Sequence, residues 1–314
     1  MPHLVSLLIP VYNNAIYLRD LVSRATSALE SAGIAFEMVM VDDGSRDESW
    51  DLLAEAAGRD SRVKAIRLSR NFGQHAAISA ALEHASGDRF VLMDADLQDR
   101  PELVPELLRK LEEGGHDIVY TVKVGGEDGA FKRLTSLAFH SAVSGAIGNE
   151  HVADVGTFRA FNSRVADALR DYRERGVVYG PLMHWIGYDV AYVRVPRDLR
   201  IGSGSSYSFA KRMALAFQSI VSYSTLPQRL LLWTGMTVCA ASMLYMLAVV
   251  IQHLMGRPGL EQGLTLLIVL ILFLIGLIVL SLGVLASYLF LIYRETLDRP
   301  RYHVRRAINL ENLR

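Results

Sequence analysis

Asp94 and Asp96 stand two positions apart at the end of an apolar run, in VLMDADLQD at 91–99, with Gln98 and Asp99 directly behind them. In an extended segment the side chains of residues i and i+2 point to the same side, so both carboxylates can address one ligand. Gathered carboxylates repel one another unless a cation or a ligand compensates them. Mg²⁺ takes one or two carboxylates, keeps waters and fills its remaining positions with substrate phosphate oxygens. A nucleotide-diphosphate with its metal therefore suits these residues. An acidic pair alone is weak evidence, since such pairs are common in solvated loops. Here a second cluster, Asp42-Asp43-Gly44-Ser45, ends another apolar run, and Tyr12-Asn13-Asn14 and Ser69-Arg70-Asn71 end two more. No Gly-Lys-Ser/Thr loop and no GxGxxG follows the first run, so neither a P-loop NTPase nor a dinucleotide oxidoreductase is indicated.

The runs that carry these groups are LVSLLIP (4–10), FEMVMVD (36–42), VKAIRL (63–68) and RFVLMDA (89–95). Helical stretches near 15–32, 47–58 and 74–86 separate them, and another follows at 101–113. Alternation of this kind predicts a doubly wound sheet with parallel strands. Ligands of such sheets sit outside the carboxyl ends of the strands, where the polar groups cluster in this sequence.

The chain of 314 residues carries 33 basic and 33 acidic side chains, a balance that suggests neither a nucleic-acid binder nor an acidic tail. Hydrophobic residues make up 51%, and the excess lies after residue 225. Leu230 to Gly256 and Leu264 to Tyr293 contain no charged residue, and each exceeds the ~20 residues a helix needs to cross a bilayer. A transmembrane hairpin is expected, with a buried soluble helix pair as the alternative. Lys211, Arg212 and Arg229 precede the first span and Arg294, Arg299, Arg301, Arg305 and Arg306 follow the second, against Arg257 alone between them. By the positive-inside rule both termini and the long N-terminal part are cytoplasmic, at the inner (plasma) membrane. No charged region followed by an apolar core opens the chain, so no signal peptide is indicated. Cys239, the one cysteine, lies inside the first span and can form no intrachain disulfide. In segment 208–222, Phe209, Met213, Ala216, Phe217 and Ile220 share a helical face, as in an interfacial helix or a soluble core helix.

Together, IPVYNN (9–14), VDDGSRD (41–47), RLSRNFGQHAAI (67–78), MDADLQD (93–99) and DVGTFRAF (154–161), followed by a hairpin, resemble the family 2 glycosyltransferases that load a sugar onto a polyprenyl phosphate. The resemblance implies an α/β fold: a GT-A-type doubly wound, mostly parallel sheet, then interfacial helices and a two-helix transmembrane hairpin. The expected divisions are a catalytic domain at 1–205, an interfacial region at 206–228, a hairpin at 229–293 with spans near 230–254 and 266–291, and a basic tail at 294–314. It further implies one inverting transfer from a UDP- or GDP-linked sugar to a polyprenyl (undecaprenyl) phosphate, with Mg²⁺ or Mn²⁺. The implied partners are the donor, the lipid and the membrane, and a homo-oligomer is compatible with them. A processive polysaccharide synthase and a non-catalytic membrane scaffold are the alternatives. The first lacks support because no QxxRW is present, and the acidic motif speaks against the second.

By the same resemblance Pro10, Tyr12, Asn14 and Asp43 hold the nucleoside, Arg70 faces the donor, and Asp94, Asp96 and Gln98 serve the metal. Asp42 and Asn71 are as well explained as turn caps. Lys123, Arg133 and Ser136 are expected to receive the acceptor phosphate; Lys132 is equally well a solvated residue. Asp154 is placed near the reacting centre, with a structural turn at Gly156 as its alternative, and Arg159 pairs with it or with donor phosphate. The loop Arg200 to Tyr207, with Ser205 and Tyr207, is expected to close over the donor with Arg200 on the diphosphate, or else to be a linker. The pattern departs from many relatives at Asn14, where they have Glu, and at Ser203 and Ser206, where they have Gly and Lys. Gln74-His75 follows the order of the amino-arabinose transferases.

Overall fold

The computed structural model describes residues 3–124, 155–172, 177–196, 260–297 and 299–310, with a few single positions between 233 and 255. Four strands open the chain, β1 (Leu4–Val11), β2 (Ala35–Asp42), β3 (Val63–Leu68) and β4 (Arg89–Leu92). Between them run α1 (Ala15–Ser31), α2 (Ser49–Arg59) and α3 (Gln74–His84), and α4 (Val104–Glu113) follows a short 3₁₀ turn. After these come β5 (Ile118–Val124), β6 (Val155–Asn162), α5 (Ser163–Asp171), α6 (Tyr179–Trp185), β7 (Val190–Pro196), α7 (Leu260–Thr296) and β8 (Val304–Ile308).

The strands form one eight-stranded sheet in the order β7-β5-β6-β4-β1-β2-β3-β8. β1 pairs in parallel with β2 and β4, and β2 with β3. The two central strands β1 and β2 are buried at all positions but their first, as strands covered by helices on both faces must be, and this is why they read as unbroken apolar runs. The expected doubly wound sheet is therefore present, but mixed: β6 runs antiparallel to β4 and β5, and β8 antiparallel to β3. Strand order reverses between β1, whose next neighbour on one side is β2, and β4 on the other. That is the switch point at which open α/β sheets hold their ligands.

Helix packing follows the sequence periodicity. α1 buries Leu18, Leu21, Ala25 and Leu29, and α4 buries Val104, Leu107, Leu108 and Leu111, each a stripe at helical spacing. α3 differs in being buried over Ala77 to Leu82 without interruption. Its last turn leaves carbonyls without intrahelical partners, and Arg170 of α5 meets them, donating to Leu82 O at 3.0 Å and Ala85 O at 3.0 Å.

The contacts divide the chain into two units, Met1–Ser208 with Arg299–Arg314, and Phe209–Asp298. The expected basic tail at 294–314 contains β8. The segment after α7 rejoins the catalytic unit, where β8 sets Ile66 against Ala307 and Ala65 against Ile308. Asn309 fastens its end by donating to Ala57 O at 2.7 Å and Val63 O at 2.9 Å.

In the second unit, α7 is 37 residues long, and no charge interrupts it from Gln262 to Tyr293. Among the described residues no helix is long and apolar enough to cross a membrane. The first arm of the expected hairpin and the expected interfacial helix lie outside the described residues.

Candidate active site

Three loops at the carboxyl ends of β1, β2 and β3 are laced together by side chains bonding to backbone. After β1, Asn13 adopts φ 53°, a left-handed conformation that Asn tolerates better than most residues. Its amide donates to Ser45 Oγ at 3.0 Å and its Oδ1 accepts from Arg46 N at 2.9 Å. Asn14 turns its Oδ1 onto Tyr12 N at 3.2 Å, while its own amide reaches Ser49 Oγ at 3.0 Å. Asn14 is thus a loop-building residue in this structure, and the ring of Tyr12, 42% exposed beside it, is the group presented outward. Pro10 is buried within β1.

The Asp42-Asp43 pair divides its work. Asp42, fully buried, closes the turn through Ser45 N at 2.9 Å and faces Arg67 Nε at 3.2 Å, so its expected alternative as a turn cap is what the structure shows. Asp43 Oδ1 accepts from Phe72 N at 2.7 Å and Oδ2 from Gly73 N at 2.8 Å. Gly44 between these loops has φ +69°, and a Cβ there would lie 2.6 Å from the carbonyl carbon of Arg70. Only glycine allows that approach. Asp43 therefore fixes the loop that carries Arg70, and the exposed Arg70 guanidinium lies 4.3 Å from the centre of the Phe72 ring.

At the end of β4, on the other side of the switch point, Asp94 accepts from Gln74 Nε2 at 2.7 Å and Thr157 Oγ1 at 3.0 Å. Its amide donates to the buried Asp99 at 3.1 Å. Asp96 Oδ1 accepts from Gln98 N at 3.2 Å, across Leu97 with φ 58°. Left-handed backbone is costly for leucine and marks a turn held by its surroundings. Each carboxylate oxygen accepts more than one hydrogen bond, so these contacts orient Asp94 and Asp96 without exhausting them. Among the described residues no three His, Cys, Asp or Glu side chains gather as a metal cage. β4 ends at Leu92 and residues 95–96 form a turn, so the extended spacing expected to turn both carboxylates to one side is not present; by donor type a pair of carboxylates is what a cation shared with a diphosphate requires.

Behind Asp94 lies a buried cation. Arg159 is 4% exposed, donates from Nε to Thr157 O at 3.0 Å and stands 5.2 Å from the Tyr120 ring centre. Burial lowers its pKa, opposed by Tyr120, Asp94 and Asp99; a guanidinium nonetheless stays charged in proteins. The same burial, with the field of Arg159, brings His75 and His184 down to about 4, so both imidazoles are neutral at physiological pH. In the sequence Gln74 and Asp99 have no role of their own beside their neighbours, and Thr157 is marked only by its place in DVGTFRAF.

Lys123 lies in β5, paired with Val195 of β7. Asp154, Lys132, Arg133, Ser136, Arg200, Ser205 and Tyr207 lie outside the described residues, as do Ser203 and Ser206.

The family model "Glycosyl transferase family 2" matches residues 6–170, a stretch that holds every one of these loops. The chain belongs to that family. Curated relatives extend the likeness across its length. It is 33% identical to the "Uncharacterized glycosyltransferase YkcC" of Bacillus subtilis, over 98% of this chain and 95% of that protein. It is 34% identical to the undecaprenyl-phosphate 4-deoxy-4-formamido-L-arabinose transferase of Pseudomonas fluorescens, over 98% of this chain and 90% of that protein. Among solved structures, glucosyl-3-phosphoglycerate synthase from Mycobacterium tuberculosis, in complex with Mn²⁺, UDP and glucosyl-3-phosphoglycerate, superposes with a TM-score of 0.53. That match covers 70% of this chain and 78% of the other at 18% identity, and supports the fold alone. The glycosyltransferase chain thus carries its family's sheet, with Asp94 and Asp96 on one side of the switch point and the β1 to β3 loops on the other.

Proposed function

We propose that this glycosyltransferase moves one sugar from a nucleotide-diphosphate sugar to a polyprenyl phosphate of the undecaprenyl type, inverting the anomeric centre. The observation that carries the reading is Asp94, held by Gln74 and Thr157 beside Asp96 at the switch point, in a chain that matches an undecaprenyl-phosphate sugar transferase along nearly all its length. Tyr12, Arg70 and the Asp43-held loop receive the nucleotide part of the donor. Asp94, Asp96 and Gln98 would hold Mg²⁺ or Mn²⁺, which supplies Lewis-acid neutralisation of the departing diphosphate. Asp154 remains the proposed orienting residue at the reacting centre.

The acceptor activates itself. A phosphate monoester has a second pKa near ~6, so the lipid phosphate is largely dianionic at neutral pH and needs no base. One of its oxygens forms the bond to the anomeric carbon as the bond from that carbon to the diphosphate breaks, and the nucleoside diphosphate leaves with the electron pair. Two anions must approach for this, so cationic positioning is needed; Lys123, Arg133 and Ser136 are assigned to it, and closure of the Arg200 to Tyr207 loop would exclude water.

Membrane residence belongs to the same reading. Ile271, Ile275, Ile278, Leu282, Leu285 and Leu289 form an exposed stripe along α7, apolar surface of a kind that marks contact with a membrane or partner. The chain leaves the sheet at β7 and rejoins it at β8, so whatever lies between can cross a membrane only an even number of times. Both flanks of the hairpin are then on one side, assigned to the cytoplasm by their basic residues.

Calorimetric titration of the full chain with a panel of UDP- and GDP-linked sugars, with and without Mn²⁺, tests the donor half. Binding of one nucleotide series that requires the cation is expected. Equal binding without it removes the carboxylate pair from the donor site.

A further inference from the structure

The donor loop Ser69 to Gly73 is held from below by Asp43, but it is also held from the far end of the chain. Ser69 N donates to His303 O at 2.8 Å. The His303 ring lies 6.2 Å from the Phe72 ring, centre to centre, at a tilt of 58°. Phe72 is the ring over which the Arg70 guanidinium sits. One line of contact therefore runs from His303 through Phe72 to the cation facing the donor. His303 is itself anchored on both sides. Before it, Arg301 donates to Ser79 Oγ at 3.2 Å and Glu83 Oε1 at 3.1 Å, and Tyr302 Oη bonds the second Glu83 oxygen. Ser79 Oγ in turn shares a hydrogen bond of 3.0 Å with Tyr179 of α6. Beyond it, β8 is paired to β3, the strand that feeds the loop.

The segment around His303 is anchored at more than one place. Pairing of β8 with β3 and the Asn309 bonds already fix the tail. Arg301 and Glu83 add a charge-assisted contact at α3, whose first residue, Gln74, orients Asp94. We propose that His303 is a positioning residue of the donor site, setting Arg70 through Phe72, with Arg301 as its anchor. The segment that follows α7 thereby completes the nucleotide-binding side. This rests on the donor assignment above for its kinetic consequence, though not for its structural one.

Two readouts separate these. Hydrogen exchange at Ser69 to Gly73, measured on the full chain without ligand, reports loop opening whatever the reaction is. Steady-state transfer reports the KM for the nucleotide sugar against kcat. In His303→Ala the exchange of the Phe72 and Gly73 amides should quicken, and the donor KM should rise about three- to tenfold, the span expected for loss of one ring contact. The kcat and the KM for the lipid should stay within about twofold, and His303→Phe should restore both readouts. Arg301→Ala should act in the same direction. Unchanged exchange in both alanine variants, a fall in kcat with the donor KM untouched, or failure of His303→Phe to rescue would overturn the proposal. Absence of any sugar-nucleotide binding by the unaltered protein would instead remove the donor assignment, leaving the exchange data to decide the role of His303 in the loop.

Discussion

Asp96→Asn is expected to reduce sugar transfer by about three orders of magnitude, equivalent to ~4 kcal/mol of transition-state stabilisation, and raising Mg²⁺ or Mn²⁺ should not restore it. Chelation of the unaltered protein should give the same loss, reversed by added cation. Asp94→Asn tests the other member of the pair while keeping its hydrogen bonds. Asp94 accepts from Gln74 Nε2 and Thr157 Oγ1, and both partners can reverse their polarity, the amide by flipping and the hydroxyl by rotating. An asparagine can therefore keep both contacts while losing the charge. Activity should fall by two to three orders of magnitude, on the order of 3–4 kcal/mol, and the thermal midpoint should fall as well, because the buried Arg159 loses one of its compensating charges. Near-normal turnover by either variant would remove the pair from the chemistry.

Asp43→Asn should act through its loop instead. Its carboxylate accepts from the backbone amides of Phe72 and Gly73, which can only donate, so an asparagine NH₂ must oppose one of them. The residue is 2% exposed, so the mismatch would be buried. Loss of one hydrogen bond to a charged group costs about 1.5–3 kcal/mol. The loop that carries Arg70 should loosen with it, so a lower thermal midpoint and a donor KM raised at least about tenfold are expected together. A variant with native stability but no nucleotide binding would instead place the Asp43 carboxylate on the nucleoside itself.

This contrast shows where the sequence is informative. The apolar runs of β1 to β4 are legible because central strands of a wound sheet have no polar face, and their polar ends are legible because the fold leaves only those ends open. Residue type does not say which way a carboxylate turns. Asp43 and Asn14, expected on the nucleoside, also bond the backbone of the loops around them, and Gln74 and Thr157 bond the Asp94 carboxylate. β8 was missed for a different reason. Arg305 and Arg306 make VRRAI look like a basic tail, yet charge is what an edge strand carries to avoid pairing with another chain. The antiparallel course of β6 is likewise set by long-range pairing, for which local periodicity has no signature.

The central claim is transfer to a lipid phosphate, and the direct measurement is the fate of label from a nucleotide sugar in membranes that hold the full chain. With undecaprenyl phosphate and Mg²⁺ present, label should enter the organic-extractable fraction, one sugar per lipid, with the anomeric configuration of the donor inverted. Omitting the lipid phosphate should abolish that product without releasing free sugar at a comparable rate. Label that appears as free sugar whether or not the lipid is present, or a product that retains the donor configuration, would contradict the account.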